Sequence, residues 1–315
     1  MHTVDTRYGP IATAGVVERF ADGTVKSCSP AAECPLATPY GALTPQFTTD
    51  DLRRRTVQSL SFHQNGVVRH LPLERGAPVR TPAGDLTAEL LTFHPDGSLH
   101  RIFPLNGKLS GMWSETDEGQ LARPATLRTP LGPLTARFIG ASFAPGGELL
   151  SLTLWPGETL RVATPVGGIE ARIGLSFRPD GSLRSLEPAR PQPVPTTAGM
   201  VQAYDLDAVG VCGDVNSLAF GPDGCVERVS SSLTGIVAER DDGPELVIEP
   251  FIRESLCGDG EHEVTPLRLK FGKETVCVQL KPEAEWLNLP LSRWRVRTRP
   301  FWAQFARPLA RVCAG

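Results

Sequence analysis

One twelve-residue stretch, Leu175 to Leu186 (L-S-F-R-P-D-G-S-L-R-S-L), limits the fold most, because it returns along the chain with constant internal spacing. Its Phe177 has counterparts in Phe62, Phe93, Phe143 and Phe220, each followed four residues later by Gly66, Gly97, Gly147, Gly181 or Gly224. The residue before that glycine is Asn65, Asp96, Gly146, Asp180 or Asp223, giving a pair that tolerates positive φ in a tight hairpin turn. Two residues before the anchor stands Leu60, Leu91, Ala141, Leu175 or Leu218. Six after it stands Val68, Leu99, Leu149, Leu183 or Val226, and nine after it Leu71, Ile102, Leu152, Leu186 or Val229. Small or polar residues alternate with these, the period of two of a half-buried strand. Each unit reads as strand, turn, strand.

A second signature lies between the first. Thr81-Pro82, Thr129-Pro130 and Thr164-Pro165 are followed by Gly84, Gly132 and Gly167, then by Leu86, Leu134 and Ile169 and by Ala88, Ala136 and Ala171. Thr38, Pro39 and Gly41 match, Thr196 and Gly199 match without proline, and Ser232 with Gly235 forms a weaker last copy. Proline lacks a donor and glycine marks a special backbone position, so each is expected to be a corner between short strands. The anchors are 31, 50, 34 and 43 residues apart, a period that marks solenoids, propellers or arrays. Such units bury their apolar faces only by stacking.

The 31 glycines and 29 prolines suit a chain that turns every few residues and leave little room for helix. Val17 to Cys28 is a degenerate first copy, turning at Asp22-Gly23. Asp50 to Arg55 (D-D-L-R-R-R) reads as a long loop or one helical turn, and Met112 to Ala122 as a second insertion. The array fades after Asp241, dividing the chain into a β-repeat array over residues 1–243 and a β-rich cap over 244–315. Further strands are expected between Glu245 and Leu280, covering the last open edge. The first fifteen residues carry no basic flank leading into an apolar core, and no run of 18 apolar residues occurs, so a cytoplasmic protein is expected. Seven cysteines, an odd number, fit reduced thiols better than a disulfide framework.

Residues 286–315 hold six arginines and no acid, against a whole-chain charge of -3. Arg293, Arg295, Arg297 and Arg299 alternate as in a strand, with Trp294 among them and Trp302 just beyond, and Phe301 to Val312 reads as a short amphipathic helix interrupted at Pro308. Arginines with interleaved aromatics suit nucleic acid or an anionic membrane. They equally suit a tail folded back on the acidic remainder, with Trp294 and Trp302 in the core, or a protein partner.

Phe103 to Trp113 (F-P-L-N-G-K-L-S-G-M-W) resembles the N-G-K-x-x-G-x-W unit of MORN-type repeats and of related bacterial antitoxin-like repeat proteins. With Leu152 to Glu158 (L-T-L-W-P-G-E) and the F-x-P-D-G-S-L units, the chain from about Val17 to Gly243 is similar to bacterial β-hairpin repeat proteins of unassigned function. The resemblance implies stacked hairpins used for protein or lipid contacts and for assembly, without catalysis; the period here is about twice that of a usual MORN unit.

Sites for chemistry are few. His63 and His94 occupy equivalent positions and, stacked, could offer metal ligands, but zinc sites add close Cys or His pairs, so a solvent-facing role is expected. Cys257, before Gly258 to Glu261 and His262, has the elements of a thiolate and base, but the stretch reads better as an acidic turn, with Cys28 in a core slot and Cys225 flanking a turn. No phosphate loop, dinucleotide fingerprint or nucleophile elbow is present, and the Asp-Gly aspartates have a sufficient role in their turns. The expectation is therefore an all-β, elongated array of stacked hairpins, β-solenoid or MORN-like, with a six-bladed β-propeller as the alternative. No catalytic, cofactor or metal residue is assigned. The expected function is a non-catalytic scaffold for a protein partner or for self-assembly. The alternatives are a small-ligand binder or enzyme with a groove beside Trp155, Trp113 or the His63 and His94 row, and polyanion binding through the tail.

Overall fold

The computed structural model describes residues 2–206, 208, 213–241, 243–254, 262–281 and 283–302. Among them the chain is all-β with antiparallel pairing and a single helix, Glu115–Leu121. It forms two compact units, Met1–Glu158 with Phe177–Ser182, and Thr159–Ser176 with Leu183–Gly315.

In the first unit the strands His2–Thr6, Gly9–Arg19, Val25–Pro30, Leu60–Phe62, Val68–Thr81, Gly84–Phe93, Leu99–Phe103, Gly132–Phe143 and Leu149–Leu154 pair each with the next, all antiparallel. Successive hairpins are thus hydrogen-bonded to one another through Cys28 opposite Leu60 and Ile102 opposite Ala141. A propeller would keep four-stranded blades as separate sheets; this unit instead runs through its copies as one ladder. The anchors Phe62, Phe93, Phe143 and Phe177 are buried, as are the leucines, valines and isoleucine at the flanking core positions.

Both recurring turns have a definite chemistry. In the anchor turns only the glycine has positive φ, at 78 to 91° in the five copies, so the preceding Asn or Asp is not in the left-handed region expected of a two-residue primed turn. The loop is one residue longer: Gly97 N donates to His94 O, and Asp96 Oδ1 accepts from Ser98 N at 2.9 Å and Ser98 Oγ at 2.6 Å. That is a turn closed by a glycine bulge, with the aspartate stabilising it from the side chain. Those bonds also hold the exposed Asp96 and Asp180 carboxyls below their ordinary value, led by Ser98 and Ser182.

In the second turn the threonine Oγ1 donates to the glycine carbonyl at 2.6–2.8 Å and accepts from the amide two residues on at 3.1–3.2 Å. Thr6 to Gly9 makes the same turn, an instance the proline-based pattern overlooks. Ser232 to Gly235 does not: Gly235 has no positive φ, and the hydroxyl that accepts from Leu233 N belongs to Ser231.

The turns interlock. Tyr8 Oη accepts from Val68 N at 3.0 Å and Tyr40 Oη from Leu99 N at 2.8 Å, each ring lying near an anchor, Phe62 or Phe93. Further along, a Cβ on Gly147 or Gly181 would come within 3.2–3.3 Å of Pro82 or Pro130, so the glycine serves close packing as well as turning.

The two insertions of the first unit meet. Ser114 caps the helix through a capping box with Asp117, and the helix presents Glu118 to Arg53. Arg53 holds Glu118 and Glu89 each by two hydrogen bonds, at 2.6–3.0 Å, while Trp113 Nε1 and Gly107 N complete the Glu118 carboxylate. The Asn106 to Trp113 stretch is therefore held on a buried ion network.

In the second unit Leu183–Pro188, Leu218–Phe220, Val226–Ser231, Leu267–Phe271, Thr275–Gln279 and Leu287–Pro290 pair in turn. Leu186, Leu218, Val229, Leu269 and Val278 lie opposite one another and are buried, so strands from beyond residue 243 continue the ladder begun before it. A separate sheet joins Leu246–Ile248, Thr234–Glu239 and Arg295–Pro300.

Candidate functional site

Side chains alternate along a strand, so residues next to the buried Leu186 row project to the opposite face. There, one polar row crosses the sheet: Glu187, Ser217, Ser230, Arg268 and Gln279, joined by Ser217 N to Glu187 Oε2 at 2.7 Å, by Ser230 N to Ser217 O at 2.7 Å, and by the Ser230–Arg268 and Arg268–Gln279 register pairs. All five line a cleft of about 470 Å³, within the size range of small-molecule sites, together with Ile173, Asn216, Arg228, Lys270 and Trp286.

The floor is charged but incompletely paired. Glu187 is 2% exposed. Its Oε2 is bonded to Ser217 N, while Oε1 forms a long ion pair with Arg172 Nη2 at 3.9 Å, beyond hydrogen-bond reach, and has no hydrogen-bond partner among the described residues. Asn216 donates through Nδ2 to Gly213 O at 2.9 Å and Ser185 Oγ at 2.8 Å; the carbonyl can only accept, so the amide orientation is set and Oδ1 is left buried without a donor. Arg172 stacks on Tyr204 at 4.8 Å and donates Nη2 to Asp205 O at 2.7 Å, and its Nε has no hydrogen-bond partner among the described residues. Burial pushes the Glu187 carboxyl up to about 7, against the opposing pull of Ser217 and Arg172.

Next to Arg172, Ile173 has φ of 60°, the one non-glycine residue with positive φ among those described, and a strained one because it is β-branched. The far wall is cationic. Arg228 lies opposite Lys270 and Ser230 opposite Arg268; none of the three cations forms an ion pair with a described residue, and Lys270 Nζ sits 3.9 Å from the Trp286 ring centroid.

The residues singled out in the sequence lie elsewhere. Arg295, Arg297 and Arg299 come onto one strand, where Arg297 pairs with Glu239 at 2.9 Å and Glu245 at 3.3 Å and Arg299 with Glu249 at 2.8 Å. Trp294 is half-buried under the Arg240 guanidinium, whereas Trp302 is 76% exposed and not in the core. Arg293 is exposed. The Phe301 to Val312 helix beyond Trp302, Arg307, Arg311, Cys212, Cys257, Gly258 to Glu261 and Cys313 fall outside the described residues.

His63 and His94 do not simply face solvent. Each ring reaches the next anchor's carbonyl, His63 Nε2 to Phe93 O at 2.8 Å and His94 Nε2 to Phe143 O at 2.9 Å, tying copy to copy. Among the described residues no group of three or more His, Cys, Asp or Glu side chains is placed to hold a metal. Trp113 is bonded to Glu118, and Trp155 lies against Gly119. Cys28 fills its core slot, where burial raises the thiol to about 11.

Glu187 had one signal in the sequence. It stands ten residues after its anchor, where the other copies place Pro72, Phe103, Thr153 and Ser230. Comparison with protein-family models, with curated proteins and with solved structures finds no match to the chain. No helix among the described residues is long and apolar enough to cross a membrane.

Proposed function

We propose that this is a non-catalytic binding protein whose second unit takes a small ligand bearing an anionic group in the Glu187–Arg268 cleft. The hairpins are copies of one repeat, in the manner of MORN-type proteins, and serve as the rigid frame for that cleft. One observation carries the reading: three cations with no ion-pair partner among the described residues and two buried acceptors without a hydrogen-bond donor line a single cleft. A buried polar atom without a partner costs about 1–3 kcal/mol, and a ligand that satisfies it recovers that cost. The test is thermal unfolding of the full chain against inorganic phosphate, succinate and a panel of small carboxylates, with Arg268→Ala and Lys270→Ala as controls. A ligand present at a hundred times its Kd adds about 2.7 kcal/mol. The reading requires an upward shift in melting temperature that both controls diminish, and a chain indifferent to every member of the panel, zwitterionic carboxylates included, refutes it.

A second reading, docking of a protein partner on the first unit, has one observation in its favour. Leu52, Leu109 and Met112 are each about half exposed, at 47%, 53% and 59%, on and beside the two insertions that Arg53 holds together. Self-association or capture of a discrete partner that is lost in Leu109→Glu would support it, and unchanged behaviour in that variant would remove it.

A further inference from the structure

We infer that the ligand of this cleft is a short peptide of two or three residues, its terminal ammonium seated on Glu187 Oε1 and Asn216 Oδ1 and its carboxylate on Arg268, Arg228 and Lys270. This rests on the proposed binding role of the cleft and adds the identity of what binds.

The floor decides the first half. Both orphaned oxygens accept, and the Asn216 amide is held with its oxygen free because Nδ2 is spent on Gly213 O and Ser185 Oγ. A purely anionic ligand would bring more acceptors to a place that lacks donors. An ammonium brings three N–H groups, enough for both oxygens, and a charge that complements Glu187.

The opposite wall decides the second half. Arg268 stands on the same cross-strand row as Glu187, and Arg228 faces Lys270 two residues along the paired strands. An arginine fork with two neighbouring cations is the arrangement that holds a carboxylate. Spacing sets the length. From the Glu187 strand to the Arg268 strand is three strand spacings, roughly 14 Å from backbone to backbone. Both side chains line the cleft between, and their reach shortens the gap to roughly 7–10 Å, the span of two or three extended residues at about 3.4 Å each. A single amino acid is too short to touch both ends.

The test uses the full chain and mixed-sequence pools of free di- and tripeptides, the same pools N-acetylated, and the same pools C-amidated, with succinate and inorganic phosphate as purely anionic probes. Retention is read by equilibrium dialysis and mass spectrometry, and affinities of retained members by calorimetry. Free peptides are expected to bind, with acetylation and amidation each weakening binding tenfold or more. Glu187→Gln is expected to weaken free peptides tenfold or more while leaving acetylated ones unchanged, and Arg268→Ala to do the same for the carboxylate end. Acetylated peptides that bind as well as free ones overturn the inference while leaving the cleft as a binding site, as does binding of succinate or phosphate with no peptide retained. If no probe of any class binds, the inference and the binding role fall together. The blocked peptides make the test independent of whether either variant folds.

Discussion

Replacing Glu187 by glutamine should change how stability depends on pH, and by a calculable amount. In the folded chain burial pushes this carboxyl up to about 7, whereas unfolded it titrates near 4.5. Between those values the folded chain keeps a proton that the unfolded chain has released, so stability falls as pH rises through the window and levels off above it. Each pH unit of such a difference is worth about 1.4 kcal/mol, which accumulates to about 3 kcal/mol across the window. The side chain is 2% exposed, so solvent does little to dilute the effect. Glutamine keeps an acceptor for Ser217 N and carries no charge. Glu187→Gln should therefore match the parent near pH 4.5 and exceed it by about 3 kcal/mol at pH 8. The assay is urea unfolding from pH 4.5 to 8.5, followed by hydrogen exchange in Leu183–Pro188 and Leu218–Phe220 so that the second unit is read by itself. A difference between variant and parent that stays flat over this range, or that grows toward acid, would refute the account of Glu187 as a buried, half-satisfied carboxyl.

Other outcomes follow from the same geometry. Arg53→Met leaves Glu118 and Glu89 buried without their cation and should cost about 3–5 kcal/mol in the first unit, seen as lost exchange protection over residues 104–122; a loss under 1 kcal/mol would show the network to be dispensable. Burial alone would raise the Glu118 carboxyl, but the bonds from Arg53, Trp113 and Gly107 outweigh it and hold it below its ordinary value, so this stabilisation is present above about pH 4.5 and disappears as pH falls through the lowered value. Thr81→Val keeps the shape of a buried side chain but removes its bonds to Gly84 O and from Ala83 N, and should cost about 1–3 kcal/mol by urea unfolding. Ile173→Gly relieves a left-handed β-branched residue, a strain of about 1–3 kcal/mol, at a chain-entropy cost of about 0.5–1 kcal/mol. It should leave stability unchanged or slightly higher, and a loss above about 2 kcal/mol would mean that the side chain holds the cleft wall together.

The strands were legible because burial imposes period two and because glycine has few rivals in a turn. Phe62, Phe93, Phe143, Phe177 and Phe220 announce the core, and each is at most 2% exposed. What could not be read was partnership across the sheet. His63 and Phe93 are 30 residues apart and joined by a ring nitrogen, and nothing in the spacing of histidines distinguishes that from a solvent-facing pair. The tail arginines show the same gap: their alternation marks a strand, but only the pairing of Arg295–Pro300 with Thr234–Glu239 reveals that Glu239, Glu245 and Glu249 stand ready to neutralise them.

That gap explains why the first unit's conspicuous polar residues are structural and the second unit's quiet ones form the site. Arg53, Glu89 and Glu118 look like a charged constellation, yet both carboxylates are fully partnered through Arg53, Asn106 N, Gly107 N and Trp113, so the network has nothing left to offer a ligand. Glu187 is a single departure from an otherwise uncharged pattern, and Glu187, Asn216 and Arg172 each retain one buried atom without a hydrogen-bond partner among the described residues. A buried network that is complete specifies a fold, and one that is incomplete loses stability until something completes it. The cost at Glu187 grows with pH because burial disfavours its charge and Arg172, 3.9 Å away, offsets only part of that, and a ligand ammonium supplies the rest. The pH slope of stability and the preference for a free amino terminus are therefore two readings of the same missing partner, and a saturating peptide should flatten the slope that Glu187→Gln abolishes.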